Sequence, residues 1–590
     1  MDRALNWSAR HWRLLVLLFW LLAAAAFIYT RWQNILLFQL NDTDDNMRMS
    51  QVRAWLQGQD WYDLRQYKLS PPVGADIHWS RLVDLPLAAL ITVGKLFTTG
   101  ANAERFGVAA APLLPYLLLA GALALIARRL IHPAAFLLSL LTLYFALSTN
   151  GMFMPTRIDH HGWQLAFLGL AMAGLADPRP ARGGATTGIA TALSLSVGLE
   201  MLIYLALAGA AQVLMWIDDA MQRRRLATYA ATLAAGTALG FLLFASSANR
   251  AAVCDALSPV WLADALVGGA LLFVLAWWSP ADWRWRLAGA AAAGATVALF
   301  HALAWPHCLS RLEGVSPEVE RLWLNNVREA KPIYGHPAKT IAVVVVLPLV
   351  GLAGWILLAV SAWGDRDRFR RVLAVAATAL TACLLLLWQT RAGPAAQMLG
   401  VTGCAALAWL LVPRLWALQN RFVSVLTTAA VIIVAVGAAV PTVLNRIPGK
   451  PQTERDRAVA RANRLCPSLA GLRPIAEQPK GTVFTFVDLG PRLITVTHHN
   501  AITGPYHRNG EAIADVMKAF RGSEEQARAL VAKYRSDYVL TCPNMSTATL
   551  FQAQAPRGFY MQLERGQVPA WLQRVPLPAD SPFKLWRVVG

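Results

Sequence analysis

The sequence predicts a polytopic α-helical membrane protein with a C-terminal α/β domain, and three observations lead to this fold class. The 590 residues are 56% hydrophobic and only 15% charged, which is too apolar for a soluble protein of this size. Apolar runs long enough to cross a bilayer recur up to about residue 445. Beyond residue 446 the composition becomes polar, and short strand-like segments replace the apolar runs.

The apolar runs divide into candidate membrane spans. A basic segment precedes the first run without a convincing small-residue cleavage site, so we expect a retained helix and not a removed signal peptide. The run 186–217 is too long for one span, and we divide it into two helices that turn near Ser196–Glu200. The run 84–98 is short and contains Pro86 and Lys95, so we interpret it as a re-entrant or interfacial helix. About 13 spans result, these two helices together with the runs near 13–33, 107–127, 134–149, 162–177, 226–246, 261–278, 286–304, 339–362, 371–389, 395–412 and 421–443.

Basic residues orient these spans. With about 13 spans the arginine-rich connections all fall on one side, which the positive-inside rule assigns to the cytoplasm. This pattern accounts for the net charge of +20 and argues against nucleic-acid binding. We therefore expect a multi-pass protein of a bacterial inner membrane with a cytoplasmic N-terminus. Its periplasmic side receives the loops 34–83, 247–260 and 305–338, the segment 157–161 and the C-terminal domain. The basic connections are Arg128–Arg129, Arg179–Arg182, Arg223–Arg225, Arg284–Arg286, Arg366–Arg371 and Arg414–Arg421.

The domain boundary falls near residue 447, with a membrane domain over 1–446 and a periplasmic α/β domain over 447–590. Strand patterns occur at 482–487, 492–497 and 537–542, with a helix at about 510–534 between them.

Four cysteines lie in the parts assigned to the periplasm. Cys254 and Cys308 fall in two outer loops, and Cys466 and Cys542 fall in the C-terminal domain. We expect the disulfides 254–308 and 466–542 in an oxidising periplasm, with four free thiols as the alternative.

Two polar clusters stand where the chain leaves the membrane. The segment N-D-T-D-D-N-M-R places Asp42, Asp44 and Asp45 at the start of an amphipathic helix predicted over about 44–57. One aspartate suffices to cap a helix, so three beside lipid predict a site. The segment R-I-D-H-H, Arg157 to His161, follows a later span. Carboxylates and imidazoles from separate segments suit a divalent cation; helix capping and a salt bridge to Arg157 are the alternatives.

The first cluster resembles a known family in the order of its parts. A first helix, an acid, Asn and Arg four and six residues later, then Gly and a Pro-x-Gly loop resemble the catalytic subunit of oligosaccharyltransferases, with Asp42, Asn46 and Arg48 at the matching positions. These enzymes are membrane-embedded GT-C glycosyltransferases that use lipid-linked sugar donors. Their acid-x-His pair in the second outer loop is matched by Asp159 and His161. The resemblance implies that Asp42, Asp159 and His161 bind Mn²⁺ or Mg²⁺, which holds the donor's phosphates.

The resemblance extends to two later segments. The piece V-R-E-A-K-P resembles the family's large mobile outer loop, whose glutamate touches the acceptor, and Glu329 is the matching residue. Arg391 lies in the outer turn W-Q-T-R-A-G-P and matches a late arginine that binds the lipid phosphate. Arg157 and Arg48 are further candidates for phosphate binding. A solvated charged helix around Glu329 and an interfacial arginine at position 391 are the alternatives.

The C-terminal domain departs from the family. Its segment T-H-H-N-A-I-T-G-P-Y-H-R-N, Thr497 to Asn509, is interpreted as a loop over the active site, which adds His499 and His507 to His160 as possible site residues. The W-W-D-Y-G motif that reads the acceptor's Ser or Thr is absent from the sequence. The resemblance covers about residues 10–445 and does not predict protein N-glycosylation.

The sequence thus predicts a membrane glycosyltransferase that moves a sugar or glycan from a polyprenyl-(pyro)phosphate donor to an envelope glycan, lipid or protein. Asp42 is the candidate base, with Asp44 and Asp45 as alternates, and Glu329 positions the acceptor. A first alternative is a metal-free transferase that uses a polyprenyl-monophosphate sugar to modify lipopolysaccharide or exopolysaccharide. A second is a transporter or flippase of lipid-linked sugars, which would place polar residues at mid-membrane and use broken helices. A third is a structural assembly protein, which would tolerate changes at Asp42 and Asp159.

Overall fold

A computed structural model describes residues 2–309, 315–446 and 451–589. Most of these residues are helical. Among the described residues, three apolar helices of 10–17 residues are Phe136–Phe145, Leu202–Asp218 and Arg421–Ala435. The number of about 13 spans stays a prediction. In the part of the chain that the structure describes, seven helical segments are long and apolar enough to cross a membrane: Trp12–Leu36, Gly100–Leu130, Ala220–Phe244, Pro259–Trp278, Trp283–Ala304, Ala338–Ala362 and Thr390–Trp416.

Helices make up most of the described residues up to 446. The long apolar run turns between α10 and α11, as predicted near Ser196–Glu200. The segment interpreted as re-entrant forms α4, which packs against α5. The helices are α1 (Asp2–Arg10), α2 (Trp12–Leu36), α3 (Thr43–Leu56), α4 (Arg81–Gly94), α5 (Gly100–Ala110), α6 (Leu113–Leu130), α7 (Phe136–Phe145), α8 (Leu147–Asn150), α9 (His161–Leu175), α10 (Pro180–Val197), α11 (Leu202–Asp218), α12 (Arg223–Phe244), α13 (Pro259–Trp278), α14 (Trp283–Ala304), α15 (Pro317–Leu322), α16 (Ala338–Ala362), α17 (Arg366–Leu385), α18 (Gly393–Trp416), α19 (Arg421–Ala435) and α20 (Ala439–Arg446).

Several basic connections meet at one end of the helical bundle. Asp177 is their centre, because Arg129 and Arg182 reach its carboxylate at 2.7 and 2.6 Å. Arg225 donates to the Asp177 carbonyl, and Arg371 donates to the neighbouring Ala176 carbonyl at 3.2 Å. The arginines around Asp177 therefore share one end of the bundle, as the spacing of the runs predicts.

The first outer loop folds around α3. This helix matches the helix that the sequence predicts at about 44–57, but it is not amphipathic as predicted, because residues 45 to 52 are all buried. The two-stranded antiparallel sheet of β1 (Arg65–Gln66) and β2 (Ala75–Asp76) follows it. One side of α3 packs on the C-terminal domain, where the Ser50 hydroxyl lies 2.8 Å from the Thr495 hydroxyl.

The C-terminal part is built on a five-stranded mixed sheet in the order β4-β3-β5-β7-β6. β3 is parallel to β4 and β5, and β7 is antiparallel to β5 and β6. Its elements are α21 (Glu454–Leu465), α22 (Leu469–Ala476), β3 (Thr482–Phe484), α23 (Gly490–Val496), β4 (Asn500–Ala501), α24 (Gly510–Arg521), α25 (Glu524–Lys533), β5 (Tyr538–Thr541), α26 (Ser546–Gln554), α27 (Phe559–Glu564), β6 (Leu572–Val575) and β7 (Lys584–Val588).

One predicted strand is wrong. Residues 492–497 belong to α23 and to its C-terminal end, although R-L-I-T-V-T has strand-like composition. Pro491 occupies the first turn of that helix, where its fixed φ is favourable. The Thr495 and Thr497 hydroxyls donate to carbonyls four residues earlier, and the helix packs on α3. Packing and a helix-start signal thus outweigh the preference of β-branched residues for strands.

The other C-terminal elements keep their predicted type with shorter bounds. The 482–487 strand is confined to β3, and the helix at 510–534 divides into α24 and α25 around Gly522. The strand at 537–542 is β5.

A shared apolar core joins the first outer loop to the C-terminal domain. Met47, Leu64 and Trp79 from the loop are buried in one cluster with Phe484 and Phe486 of the domain. Both predicted disulfides are present, Cys254–Cys308 and Cys466–Cys542.

Candidate active site

The acidic segment opens α3 through a reciprocal cap. Asp42 precedes the helix, and its Oδ1 accepts from the backbone N–H groups of Asp44 at 2.9 Å and Asp45 at 3.3 Å. Asp45 returns the contact, because its Oδ2 accepts from the Asp42 N–H at 3.0 Å. This capping box fixes the carboxylates at the helix start, where the helix dipole favours negative charge.

Asp45 also holds the second polar segment in place. Its Oδ1 accepts from the backbone N–H groups of Ile158 at 2.6 Å and Asp159 at 3.0 Å. Asp159 then caps its own segment, since its Oδ1 accepts from the His161 N–H at 3.0 Å. The structure therefore brings together the two clusters that the sequence singles out.

Arg157 lies among these acids. It forms ion pairs with Asp42 and, through Nε, with Asp159 at 2.7 Å, and it approaches Asp45 at 4.0 Å. The Asp159 and Asp45 side chains are fully buried, whereas the Asp42 side chain is 37% exposed. Asp42 is thus the most accessible acid of the three.

These three acids, which we call the carboxylate cluster (Asp42, Asp45 and Asp159), fit a hard divalent cation. One carboxylate oxygen from each lies within 4.8 Å of the others, and an all-oxygen donor set suits Mg²⁺ or Mn²⁺. The acids carry more negative charge than Arg157 neutralises. Burial, and then repulsion by Asp42, raise the pKa of the neighbouring Asp44 to about 7. Burial and Asp42 also raise the pKa of Asp45 well above its usual range. Asp45 therefore joins Asp42 and Asp159 as a candidate ligand, and a ligand role for His161 stays a prediction.

His161 faces a cavity beside the carboxylate cluster. This outer cavity has a volume of about 250 Å³ and is lined by His161, Glu200, Glu329 and Arg391, with apolar residues such as Leu165 on its walls. Because the His161 N–H donates to Asp159 Oδ1, the cavity and the carboxylate cluster adjoin each other at His161.

Glu329 and Arg391 meet in this cavity. Arg391 NH2 lies 2.5 Å from Glu329 Oε1, and both side chains are about half exposed. Partial burial alone would raise the pKa of Glu329. The positive charge of Arg391, and then that of His161, holds this pKa below its usual range. This ion pair joins the segment Arg328–Ala330 to the turn before α18, and the acceptor and phosphate roles of the two residues stay predictions.

Sequence reasoning missed Glu200. It lies between α10 and α11, with its carboxylate oxygens 2.8 Å from His160 Nε2 and 2.6 Å from Gln164 Nε2. Burial opposes charge on both partners, yet their mutual attraction raises the pKa of His160 and lowers that of Glu200. One signal was available, since Glu200 is the only acid between Asp177 and Asp218.

Trp79 and Tyr506 were also missed. The Trp79 ring lies 5.4 Å from the His160 ring and 5.6 Å from the Tyr506 ring. The Tyr506 hydroxyl donates to the Thr43 carbonyl at 3.0 Å. The end of the segment 497–509 therefore lies beside the start of α3.

Three candidate residues lie elsewhere. Arg48 is fully buried and pairs with Asp84 at 2.7 Å, with its guanidinium over Trp79, so it is not placed to bind a donor phosphate. His499 is buried in the C-terminal domain against the carbonyls of Ile475 and Gly481. His507 lies outside the carboxylate cluster and contacts Asp255 at 2.6 Å.

Comparison with known proteins identifies the fold. No family model matches the sequence, and no curated protein matches it. Among solved structures, the archaeal oligosaccharyltransferase AglB from Archaeoglobus fulgidus, in complex with an inhibitory peptide and a dolichol-phosphate, superimposes with a TM-score of 0.69. The match covers 98% of this chain and 74% of that one at 16% identity. The protein has the GT-C fold.

Other structures of the Archaeoglobus fulgidus oligosaccharyltransferase agree. The form tethered to an acceptor peptide containing the NVT sequon gives a TM-score of 0.65 at 14% identity, covering 99% of this chain and 75% of that chain. The complex with Zn and sulfate gives 0.61 at 15% identity, covering 97% and 73%. The GT-C fold inferred from the residues around Asp42 and Asp159 is thereby confirmed.

Proposed function

We propose that this protein is a membrane glycosyltransferase that transfers a sugar or glycan from a polyprenyl-linked phosphate donor to an acceptor of the cell envelope. The observation that carries the proposal is the junction at His161 between the carboxylate cluster and the outer cavity. Acids beside a cavity with apolar walls suit a reaction between a polar acceptor and a lipid-linked donor.

The outer cavity supplies the donor side of this scheme. Arg391 and His161 would hold the phosphate, and the apolar walls would receive the first units of the lipid. Before the donor binds, Glu329 neutralises Arg391. A donor phosphate would replace that carboxylate on Arg391 and free Glu329 to accept a hydrogen bond from the acceptor.

The carboxylate cluster supplies the acceptor side. Asp42 is its most exposed member, so Asp42 would accept the proton of the acceptor hydroxyl as the new bond to C1 of the sugar forms. The bond between C1 and the donor phosphate breaks, and the phosphate leaves with the electron pair beside Arg391 and His161. A divalent cation held by Asp42, Asp45 and Asp159 would supply positive charge near the leaving group.

The acceptor class follows from what the sequence lacks. The W-W-D-Y-G motif is absent, and the buried rings of Trp79 and Tyr506 lie beside the start of α3. We therefore favour the hydroxyl of a sugar or lipid as the acceptor over a protein sequon. We place the reaction on the periplasmic face of a bacterial inner membrane, opposite the arginines around Asp177.

A transfer assay in membranes tests the proposal. Purified protein receives a labelled polyprenyl-linked sugar pool and envelope acceptors, and wild type is compared with Asp42→Asn, Asp159→Asn and Arg391→Gln. Asp456→Asn is the matched control, because Asp456 caps α21 on the surface. We expect transfer to fall at least about 100-fold in the first three variants and to stay unchanged in the control. Full transfer in Asp42→Asn and Asp159→Asn would contradict the proposal.

One contact favours a metal-free version of the same reaction. Arg157 already binds Asp42 and Asp159, which is the kind of charge compensation that an enzyme using a polyprenyl-monophosphate donor would need without a cation. EDTA separates the two versions. Transfer that survives EDTA and still requires Asp42 supports the metal-free version, and transfer that EDTA stops and Mn²⁺ restores supports the metal-assisted one.

A further inference from the structure

A second group of metal-binding side chains lies outside the carboxylate cluster. His78 comes from the first outer loop, Asp255 follows Cys254 in the loop after α12, and His507 comes from the C-terminal domain. One ligand atom from each lies within 4.8 Å of the others. We call these residues the histidine cluster (His78, Asp255 and His507).

Hydrogen bonds explain part of this arrangement. His507 Nε2 lies 2.6 Å from Asp255 Oδ2, and Arg508 contacts both Asp255 oxygens at 2.8 and 2.5 Å. Arg508 also reaches Asp76 at 2.9 Å. Ion pairs between the outer loops and the C-terminal domain account for these contacts, but they do not account for the position of His78.

His78 takes no part in the ion pairs just described. Its Nδ1 is buried without a hydrogen-bond partner among the described residues, although its ring lies 4.5 Å from the His507 ring. A buried nitrogen that makes no bond costs about 1–3 kcal/mol. A ligand that binds His78 and His507 together would remove this cost.

The donor set identifies the ligand by its chemistry. Two imidazoles and one carboxylate are a set that Zn²⁺ favours, whereas the carboxylate cluster offers oxygen alone and suits Mg²⁺ or Mn²⁺. Arg508 would stay on Asp255 as a support outside the metal, as hydrogen-bonded partners of ligating carboxylates usually do. The Cys254–His307–Cys308 group is no alternative, because its cysteines form a disulfide.

We propose that His78, Asp255 and His507 bind a zinc ion that ties the first outer loop and the disulfide-linked loop to the C-terminal domain. Zinc would take the position of the proton shared by His507 Nε2 and Asp255 Oδ2, and that proton leaves to solvent. The site goes beyond the proposed function and takes no part in transfer. It fixes Asp76, His78 and Trp79 of the first loop against the C-terminal domain.

Zinc binding by the full-length protein tests this site. Protein in detergent is stripped with a chelator, given excess Mg²⁺ to saturate the carboxylate cluster, titrated with Zn²⁺ and analysed for bound zinc. We expect about one tight equivalent per chain in wild type, lost in His78→Gln and in His507→Gln. Asp159→Asn and His498→Gln should keep it, because Asp159 belongs to the other cluster and the exposed His498 bonds only the Gln478 carbonyl among the hydrogen bonds described. Equal zinc in His78→Gln and wild type would overturn the proposal.

X-ray absorption on wild-type protein provides a second test that needs no variant. The expected spectrum has two nitrogen ligands and one carboxylate oxygen at about 2.0–2.2 Å. A spectrum with oxygen ligands alone would show adventitious zinc and overturn the proposal even where the histidine variants fail to fold. Because neither test includes a transfer step, failure here and failure of the glycosyltransferase proposal are distinguishable.

Discussion

At the scale of single residues, Arg157 has two opposing effects on the carboxylate cluster. Its guanidinium contacts Asp42 and Asp159, which lowers the repulsion between these acids. The same positive charge repels any divalent cation that Asp42, Asp45 and Asp159 bind together. A change at Arg157 therefore separates its contribution to protein structure from its effect on metal binding.

We expect Arg157→Gln to bind Mn²⁺ more tightly than wild type, by about tenfold or more. One neighbouring charge at this distance shifts ionic equilibria by about 1–3 powers of ten. Titration of Mn²⁺ followed by electron paramagnetic resonance measures the affinity directly. Arg366→Gln is the control, because Arg366 pairs with Asp218 near the opposite end of the bundle. Weaker Mn²⁺ binding in Arg157→Gln would mean that Arg157 holds the carboxylates in position for the ion.

A second prediction concerns the buried acid that pairs with Arg48. Asp84 accepts from Arg48 at 2.7 Å and from Arg81 at 3.1 Å, and all three side chains are buried. Two Arg48 nitrogens lack hydrogen-bond partners among the described residues, so Asp84→Asn removes the carboxylate that pairs with both Arg48 and Arg81. We expect a loss of about 3–5 kcal/mol of stability, seen as a clear drop in Tm in detergent. Glu477→Gln, in the exposed pair with Arg473, should leave Tm unchanged; equal shifts in the two variants would refute this account.

At the scale of secondary-structure elements, the close contact of α16 and α18 positions the outer cavity. Gly351 and Gly354 of α16 face Gly400 and Gly403 of α18, so the two backbones touch. A Cβ at Gly354 would lie only 1.8 Å from the Gly403 carbonyl oxygen. Small residues at such a crossing are typical of membrane helices. The turn that carries Arg391 leads directly into α18.

Gly354→Ala should therefore destabilise the protein and weaken donor binding. Moving the backbones apart costs about 1–3 kcal/mol and shifts Arg391 at the start of α18. Thermal unfolding and the KM for the lipid-linked donor measure the two effects. Gly294→Ala on α14 is the matched control, because a Cβ there meets nothing within 4 Å. Similar Tm and KM in the two variants would show that the α16–α18 crossing tolerates a methyl group.

Elements differ in how far their sequence predicts them. The capping acids and the apolar runs predicted α3 and the turn before α11, since these signals are local. The β-branched residues of the segment 492–497 predict a strand more strongly than Pro491 predicts a helix start. The contacts that decide for the helix are with α3, which is remote in sequence. The Glu200–His160 contact was missed for a related reason, since it joins residues 40 positions apart.

At the scale of the whole molecule, the carboxylate cluster lies among the outer loops, and the arginines around Asp177 lie at the other end of the bundle. Long-range contacts join the first outer loop to the C-terminal domain, such as Tyr506 with Thr43. The charge pattern of the loops predicted this separation from the sequence. The shared core of Met47 and Trp79 with Phe484 could not be predicted, because apolar residues in a polar loop do not indicate their partner.

Impermeant labelling of single cysteines tests the orientation that the loop charges imply. Gln573→Cys lies on the exposed surface of the C-terminal domain, and Gln419→Cys lies in the basic connection before α19. We expect an impermeant maleimide to label Gln573→Cys in intact spheroplasts and to label Gln419→Cys only after lysis, because the positive-inside rule keeps the Arg414–Arg421 connection in the cytoplasm. Wild type controls for the native thiols, of which Cys404 is fully buried. Labelling of Gln419→Cys in intact spheroplasts would invert the topology and place the carboxylate cluster in the cytoplasm, where a donor presented on the periplasmic face could not reach it.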